Sequence, residues 1–211
     1  MRATEEADGT GESPTVLPPS ARTVRDVVNT FEPQVGRELW TSPEAAARWL
    51  ADHGLLGADA SLDDEDVAVL LEVREGLREL LRAHTGEAVE VGVVERLDGV
   101  LARLPLRVVF DAAAEPALMA LSHEGSAPAV AGLLDAVYRC VSDGTWNRLK
   151  VCARHSCRWA FYDTSRNRSG RWCSMSGCGN QVKMRRAYAV RKERAAKRAS
   201  QVGQTQDPGA C

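Results

Sequence analysis

From residue 42 onward, apolar positions recur at helical period and are punctuated by short polar turns. Ser42 is a good N-cap, Pro43 suits the first helical turn, and Glu44 complements the positive helix end. Ala46, Ala47, Trp49 and Leu50 follow, and Gly54 ends the helix at His53. Ser61 is the expected cap of a second helix that opens on the acidic run Asp63–Asp66. Val67, Leu70, Leu71, Val73, Leu77, Leu80 and Leu81 carry it to about Ala83. A third helix is expected over Val91–Leu104, stopped by Pro105. Leu106–Phe110 reads as a strand that can pair with Ala117–Ser122 across an Ala-Ala-Ala-Glu-Pro turn. Ser126 opens a further helix through Val141, ended by Asp143-Gly144. The amphipathic segment Val24–Phe31 fits either a strand or a short helix. The pattern predicts a mainly α fold with a small β-hairpin (α+β).

Composition sets the boundaries of that fold. Residues 1–20 are rich in Gly, Pro, Ser, Thr and Glu and cannot bury enough apolar surface to offset ordering, so they are expected to be a disordered tail. The helical domain then covers 21–146, a cysteine-containing basic module 147–199, and a second disordered tail 200–211. The longest near-apolar run, Ala127–Leu134, is far short of the roughly 20 residues of a membrane span, and the acidic N-terminus lacks the apolar stretch of a secretory signal. A cytoplasmic location follows as the expectation. The absence of isoleucine and the 23 Arg against 4 Lys suggest a GC-rich bacterial source.

The net charge of −2 conceals a division. Residues 1–146 hold 12 Lys/Arg against 26 Asp/Glu, whereas 147–199 hold 15 Lys/Arg against Asp163 and Glu193 alone. Such asymmetry points to a basic module with an anionic partner. No nucleophile–base pair, paired-carboxylate motif or phosphate-cradling glycine loop is present, so an enzyme is not expected. His53, His84 and His123 stand alone, Cys140 lies within a helix as a small apolar residue, and Cys211 is the last residue.

Chemistry concentrates in four cysteines. Cys152, Cys157, Cys173 and Cys178 form two Cys-x4-Cys pairs separated by fifteen residues. Two close pairs supply the tetrahedron of soft ligands that one zinc ion prefers, and four thiolates leave no position for water, so the ion should be structural. Arg154, Arg158 and Arg171 can offset the thiolate charge. His155 is an alternative ligand or a neighbour of the site. Trp159, Phe161, Tyr162 and Trp172 either form the small core around the metal or stack on exposed bases.

After Cys178, residues Lys183–Arg198 lack Gly and Pro and carry eight Lys/Arg against one Glu. They should form a basic helix with Met184, Tyr188 and Ala195 turned toward the metal module. Such a helix suits a groove walled by phosphates. Lys183, Arg185, Arg186, Arg191, Lys192 and Arg194 are its candidate DNA contacts, with Arg166, Arg168 and Arg171 of the inter-ligand loop beside them. Asn180 can cap the helix or read adenine.

The run Cys152…Cys157-Arg-Trp159…Phe161-Tyr162-Asp163-Thr-Ser-Arg166-Asn-Arg168…Arg171-Trp172-Cys173-Ser-Met…Cys178-Gly179-Asn180 resembles the CGNR zinc finger. Val27-Val28-Asn29-Thr30, the Trp49-Leu50 helix and the order of elements resemble the ABATE domain that precedes that finger in stress-induced transcription regulators. The resemblance implies a bacterial regulator that binds one zinc and double-stranded DNA, with an N-terminal domain that takes an effector or a second subunit. Gln181 stands where the family name ends in Arg. A zinc-stabilised RNA-binding or ribosome-associated module is the competing expectation.

Overall fold

The computed structural model describes residues 16–204. Helix α1 (Pro19–Val28) is followed by a two-residue-per-strand hairpin, β1 (Phe31–Glu32) with β2 (Arg37–Glu38), then α2 (Pro43–Asp52), α3 (Asp64–Ala83) and α4 (Val91–Leu101). Antiparallel β3 (Leu106–Phe110) and β4 (Pro116–Ala120) precede α5 (Ala127–Ser142). A 3-10 turn at Trp146–Arg148 leads into β5 (Leu149–Val151), which pairs with β6 (Ala160–Tyr162). A π turn at Met175–Gly179 runs straight into α6 (Asn180–Gln204).

Most expected elements are present. The β1–β2 hairpin is an addition, α4 stops at Leu101 rather than Leu104, and further details differ. Helix α1 starts inside the expected tail because Pro18 and Pro19 prepare a helical first turn, and Ala21, Val24, Val27 and Val28 bury at helical spacing. That resolves the open segment: helix to Val28, strand from Phe31. Of the expected tails, residues 1–15 and 205–211 lie outside the described residues; Val16–Pro18 precede α1, with Leu17 against the core, and α6 continues to Gln204. Helix α3 is capped by Asp63 rather than Ser61. Asp63 Oδ1 accepts the Asp66 N–H at 2.8 Å while Asp66 Oδ2 accepts the Asp63 N–H at 3.1 Å, a reciprocal capping box. Asp66 also accepts the Ser126 N–H at 2.7 Å, which ties the starts of α3 and α5 together. Where α3 crosses α4, Gly76 leaves no room for a side chain: a Cβ there would meet Leu97 Cβ at 2.7 Å.

The core runs across the expected boundary at 146/147. Val24, Val27 and Val28 of α1, Val73, Leu77 and Leu81 of α3, and Val130 and Leu133 of α5 form one cluster with Leu149, Val151 and Ala160 of the β5–β6 hairpin. The physical reason is strand alternation. Leu149 and Val151 share one face and pack on the helices, and the hairpin has no other apolar surface large enough to receive them. The cysteine segment therefore grows out of the helical core rather than beside it.

Candidate metal centre and basic surface

Several polar clamps hold the hairpin in place. The Asn29 side chain donates to the Ala160 carbonyl at 2.9 Å and accepts the Ala160 N–H at 2.8 Å, so one amide completes the outer edge of β6 as another strand would. The fully buried Arg78 donates to the carbonyls of Arg158 (3.0 Å), Phe31 (3.1 Å) and Val28, and to Glu75 (3.0 Å). His84 Nδ1 meets the Leu149 carbonyl at 2.7 Å, and burial, only partly opposed by that contact, lowers its pKa.

On the opposite face of β5, Lys150 is buried against Asp163 at 2.7 Å. Asp163 also accepts the N–H groups of Ser165 (2.9 Å) and Gly170 (2.8 Å), while Lys150 donates to the carbonyls of Arg168 and Gly170. Burial works against the carboxylate charge, but these donors outweigh it and hold Asp163 at about 2. Gly170 is required here, because a Cβ would lie 2.7 Å from Asp163 Oδ1. One ion pair thus folds the arginine-bearing loop between the two cysteine pairs. Arg148 braces the same loop through the carbonyls of Asp163 and Ser165, both at 2.9 Å.

The four cysteines converge at the exposed end of this hairpin. Cys152 leaves β5 and its N–H bonds the Trp159 carbonyl at 2.9 Å. A turn closed by Cys157 N–H to Arg154 C=O at 2.8 Å brings the second sulfur back, with Arg158 in the left-handed region at φ 52°. Cys173 precedes Ser174, whose hydroxyl accepts the Gly177 N–H at 3.2 Å and starts the π turn that carries Cys178. The ligand atoms of all four lie within 4.8 Å of one another, with Cys157–Cys173 at 3.8 Å and Cys173–Cys178 at 3.7 Å. Zinc–sulfur bonds of about 2.3 Å require tetrahedral edges of about 3.8 Å. The donor set fits one structural zinc, held by Cys152, Cys157, Cys173 and Cys178.

The electrostatics suit a cation. Burial, with the negative charge of Cys152, pushes the Cys157 thiol up to about 11, and burial with both Cys152 and Cys157 raises Cys173. Cys178 goes the other way: burial opposes its charge, but Arg154 and the neighbouring thiols lower it. A bound cation would bring all four to the thiolate form. Of the three arginines expected to offset them, Arg154 does so, 3.5 Å from Cys178 Sγ. Arg158 and Arg171 turn instead to Glu79 (3.7 Å) and Glu87 (3.0 Å) on the acidic helical domain. His155 is exposed and stands outside the four-sulfur cluster. Of the four expected rings, Trp159 and Trp172 cover the cysteines, Tyr162 packs on the helical core instead, and the half-buried Phe161 joins neither cluster.

With this geometry the comparisons agree: a family model described as "CGNR zinc finger" matches residues 148–191, and the ABATE model, described as "Putative stress-induced transcription regulator", matches 21–150, more than half of the chain. The chain belongs to the ABATE family. Comparison with curated proteins gives no match. The two family segments meet at β5, the strand that is shared between the helical core and the zinc knot.

The ABATE chain ends in a helix that does not behave as expected. Met184, Tyr188 and Ala195 do not face the zinc module; Met184 and Tyr188 are 72% and 71% exposed. Helix α6 packs on the π turn at its base, and it has too few apolar residues to bury a face. Lys183, Arg185, Arg191, Lys192 and Arg194 are exposed along it, and the side chain of Arg186 lies outside the described residues. Arg166 and Arg168 are exposed in the loop, whereas Arg171 is paired with Glu87. Asn180 does not cap the helix. It already has helical dihedrals and donates to the Ser176 carbonyl at 3.3 Å, and Ser174 is the cap because the π turn and α6 are continuous. Gln181, in the place of the family arginine, is exposed in the first turn of α6.

Sequence reasoning missed Asn29, Arg78, Lys150 and Asp163 as supports of the site. Asp163 alone carried a signal: it is the one acid between Arg148 and Lys192.

Proposed function

We propose that this protein is a zinc-dependent transcription regulator that binds double-stranded DNA through α6 and the loop containing Arg166 and Arg168. One observation carries the reading: a basic helix of 25 residues stands exposed on a rigid zinc knot, while residues 1–146 are acidic. At 1.5 Å per residue it is about 37 Å long, enough to follow a duplex groove for about one turn. The acidic domain repels DNA and leaves the finger side as the landing surface. Four thiolates would leave a bound zinc no open coordination position, which supports a structural rather than a catalytic role for the metal. No helix among the described residues is long and apolar enough to cross a membrane, which is compatible with a cytoplasmic, nucleoid-associated regulator.

The helical domain would sense. A cleft of about 550 Å³ lies between α1, α2 and β6, lined by Trp49, Trp159, Phe161, Tyr162, Arg25 and the zinc ligand Cys173. An aromatic small-molecule effector seated there would touch both the helical domain and the metal knot. The second reading, an RNA-binding or ribosome-associated protein, is favoured by one feature, the exposed ring of Tyr188, which can stack on an unpaired base.

Fluorescence anisotropy of zinc-loaded protein with duplex DNA, single-stranded RNA and structured RNA tests the choice. Tighter binding to duplex, weakening with salt by a slope of about −0.9 per phosphate neutralised, is expected. Preference for RNA, abolished by Tyr188→Ala, would install the second reading instead.

A further inference from the structure

The edges of the three small sheets are not treated alike. Along β3–β4, Pro105 C=O accepts the Leu121 N–H at 3.0 Å and Glu115 C=O accepts the Asp111 N–H at 3.1 Å. These bonds, with the register Val108↔Leu118, place the odd-numbered residues of β3 in the bonded pairs. The N–H and C=O groups of the even residues therefore point outward. On β4 two of the outward groups are covered: Asp135 of α5 accepts the Leu118 N–H at 2.9 Å and Arg139 donates to the Pro116 carbonyl at 3.2 Å, while Pro116 has no N–H. On β6 the side chain of Asn29 does the same work.

The outer edge of β3 has no such cover. No hydrogen bond among the described residues reaches the N–H or C=O of Leu106, Val108 or Phe110. The strand reads Leu-Arg-Val-Val-Phe; of the features that usually blunt an edge it carries one charge, the exposed Arg107, and neither lysine nor proline. Val108 is 59% and Phe110 72% exposed on one face of the hairpin, and Met119 and Leu121 are exposed on the other. A hairpin of two strands is marginal by itself.

We propose that β3 is a homodimer interface, in which two copies of this chain pair β3 antiparallel about a two-fold axis through Val108. The self-complementarity of the strand selects a second copy as the occupant. In this register Val108 faces Val108 and Leu106 faces Phe110 of the other copy, both as bonded pairs. All three outward N–H groups and all three outward carbonyls of each strand then find partners, six bonds in all. Arg107 faces Val109, so no like charges stand directly opposed, and Asp111 of the other copy is diagonal to Arg107 on the same face. Two hairpins become one four-stranded sheet with an isologous interface. The zinc knots of the two copies are then related by the same axis, which is the arrangement that reads two half-sites on a duplex.

Sedimentation of the full zinc-loaded chain at micromolar concentration tests the pairing without any nucleic acid, so its result is independent of the role given to α6. Wild type should sediment at twice the chain mass. Val108→Pro removes one outward N–H and leaves the β3–β4 ladder intact, and it should shift the protein to monomer. Val108→Lys and Val108→Asp, which set like charges on the axis, should each be monomeric, and an equimolar mixture of the two should recover a dimer with one copy of each. A monomeric wild type, or dimers that persist in the single charged variants, would overturn the interface. Monomeric variants whose mixture stays monomeric would overturn the two-fold at Val108. The charged pair decides the matter even if the proline variant fails to fold.

Discussion

The zinc knot faces two ways, and its two sides are held by different physics. On one side β5 and β6 enter the helical core, where Leu149, Val151 and Ala160 are fully buried and Asn29, Arg78 and His84 satisfy their backbone. On the other side α6 is attached through Ser174, the π turn and Cys178. The first side is fixed by burial and would keep much of its form without metal. The second has no apolar face of its own, so its direction depends on the ion. If α6 meets a polyanion, this division serves it: burial sets the base, and most of the described side chains of α6 are left exposed.

Removing the metal breaks the contrast most strongly. Structural zinc sites of this class contribute apparent folding free energies of about 10–16 kcal/mol in isolated fingers. Cys173→Ser should fall from about one equivalent of zinc to almost none, measured by metal analysis, and should free residues 173–180 and α6. Because the hairpin belongs to the helical core, the thermal midpoint of the whole chain should also drop. Amide exchange should rise first in the π turn and last in α1 and α3. Equal exchange in all segments would mean that the two sides are not separable.

The next effect is that of the Lys150–Asp163 pair. Breaking a buried ion pair by removing one partner costs about 3–5 kcal/mol. Asp163→Asn should lose that order of stability in denaturant unfolding and loosen the loop bearing Arg166 and Arg168. The sign of the pH dependence follows from the lowered Asp163 pKa, about 2. Its contribution is fully present above the ordinary carboxylate range and is lost as pH falls toward 2, because the unfolded chain takes up the proton first. The variant should show less stability loss than wild type between about pH 5 and about pH 2.

Asn29 gives a smaller test. Asn29→Ala leaves the buried N–H and C=O of Ala160 without partners, at a cost of about 1–3 kcal/mol. Unfolding midpoints should fall accordingly with zinc content unchanged, which separates support of the hairpin from metal ligation.

What could be read from the sequence depended on range. The cysteine pairs were legible because a ligand pair is a local pattern, and so were α2, α3 and α5, whose apolar period and caps lie within a few residues of each other. The hidden features are long-range or geometric. Asn29 and Ala160 are 131 residues apart, and nothing local marks an asparagine that will act as a strand. A buried Arg78 looks like any helix-surface arginine until Val28, Phe31 and Arg158 offer it carbonyls. Lys150 alternates with Leu149 and Val151 as a solvent-facing residue would, and only the folded loop shows that its face is closed by Asp163. For α6, Met184 and Tyr188 were assigned a buried face because apolar residues usually have one. Two such residues among so many charges do not suffice to dock a helix.

The smallest expected effect on stability is the one that decides function. Arg185 and Arg191 are exposed on α6, and substitutions at such positions usually change stability by less than about 0.5 kcal/mol. Arg185→Ala/Arg191→Ala should therefore leave zinc content, thermal midpoint and the helical core as they are. If α6 lies along a phosphate-walled groove, each lost contact removes one set of released counterions. The slope of log affinity against log salt should become shallower by about 0.9 for each phosphate contact removed, and affinity should fall alike on specific and random duplexes. If one of the two arginines grips a guanine instead, its single alanine variant should cost about 1–3 kcal/mol on the cognate site and little on random sequence. An unchanged slope and affinity on both duplexes, in a double variant as stable as wild type, would show that the free side of the knot does not meet DNA. The exposed basic helix would then need another anionic partner.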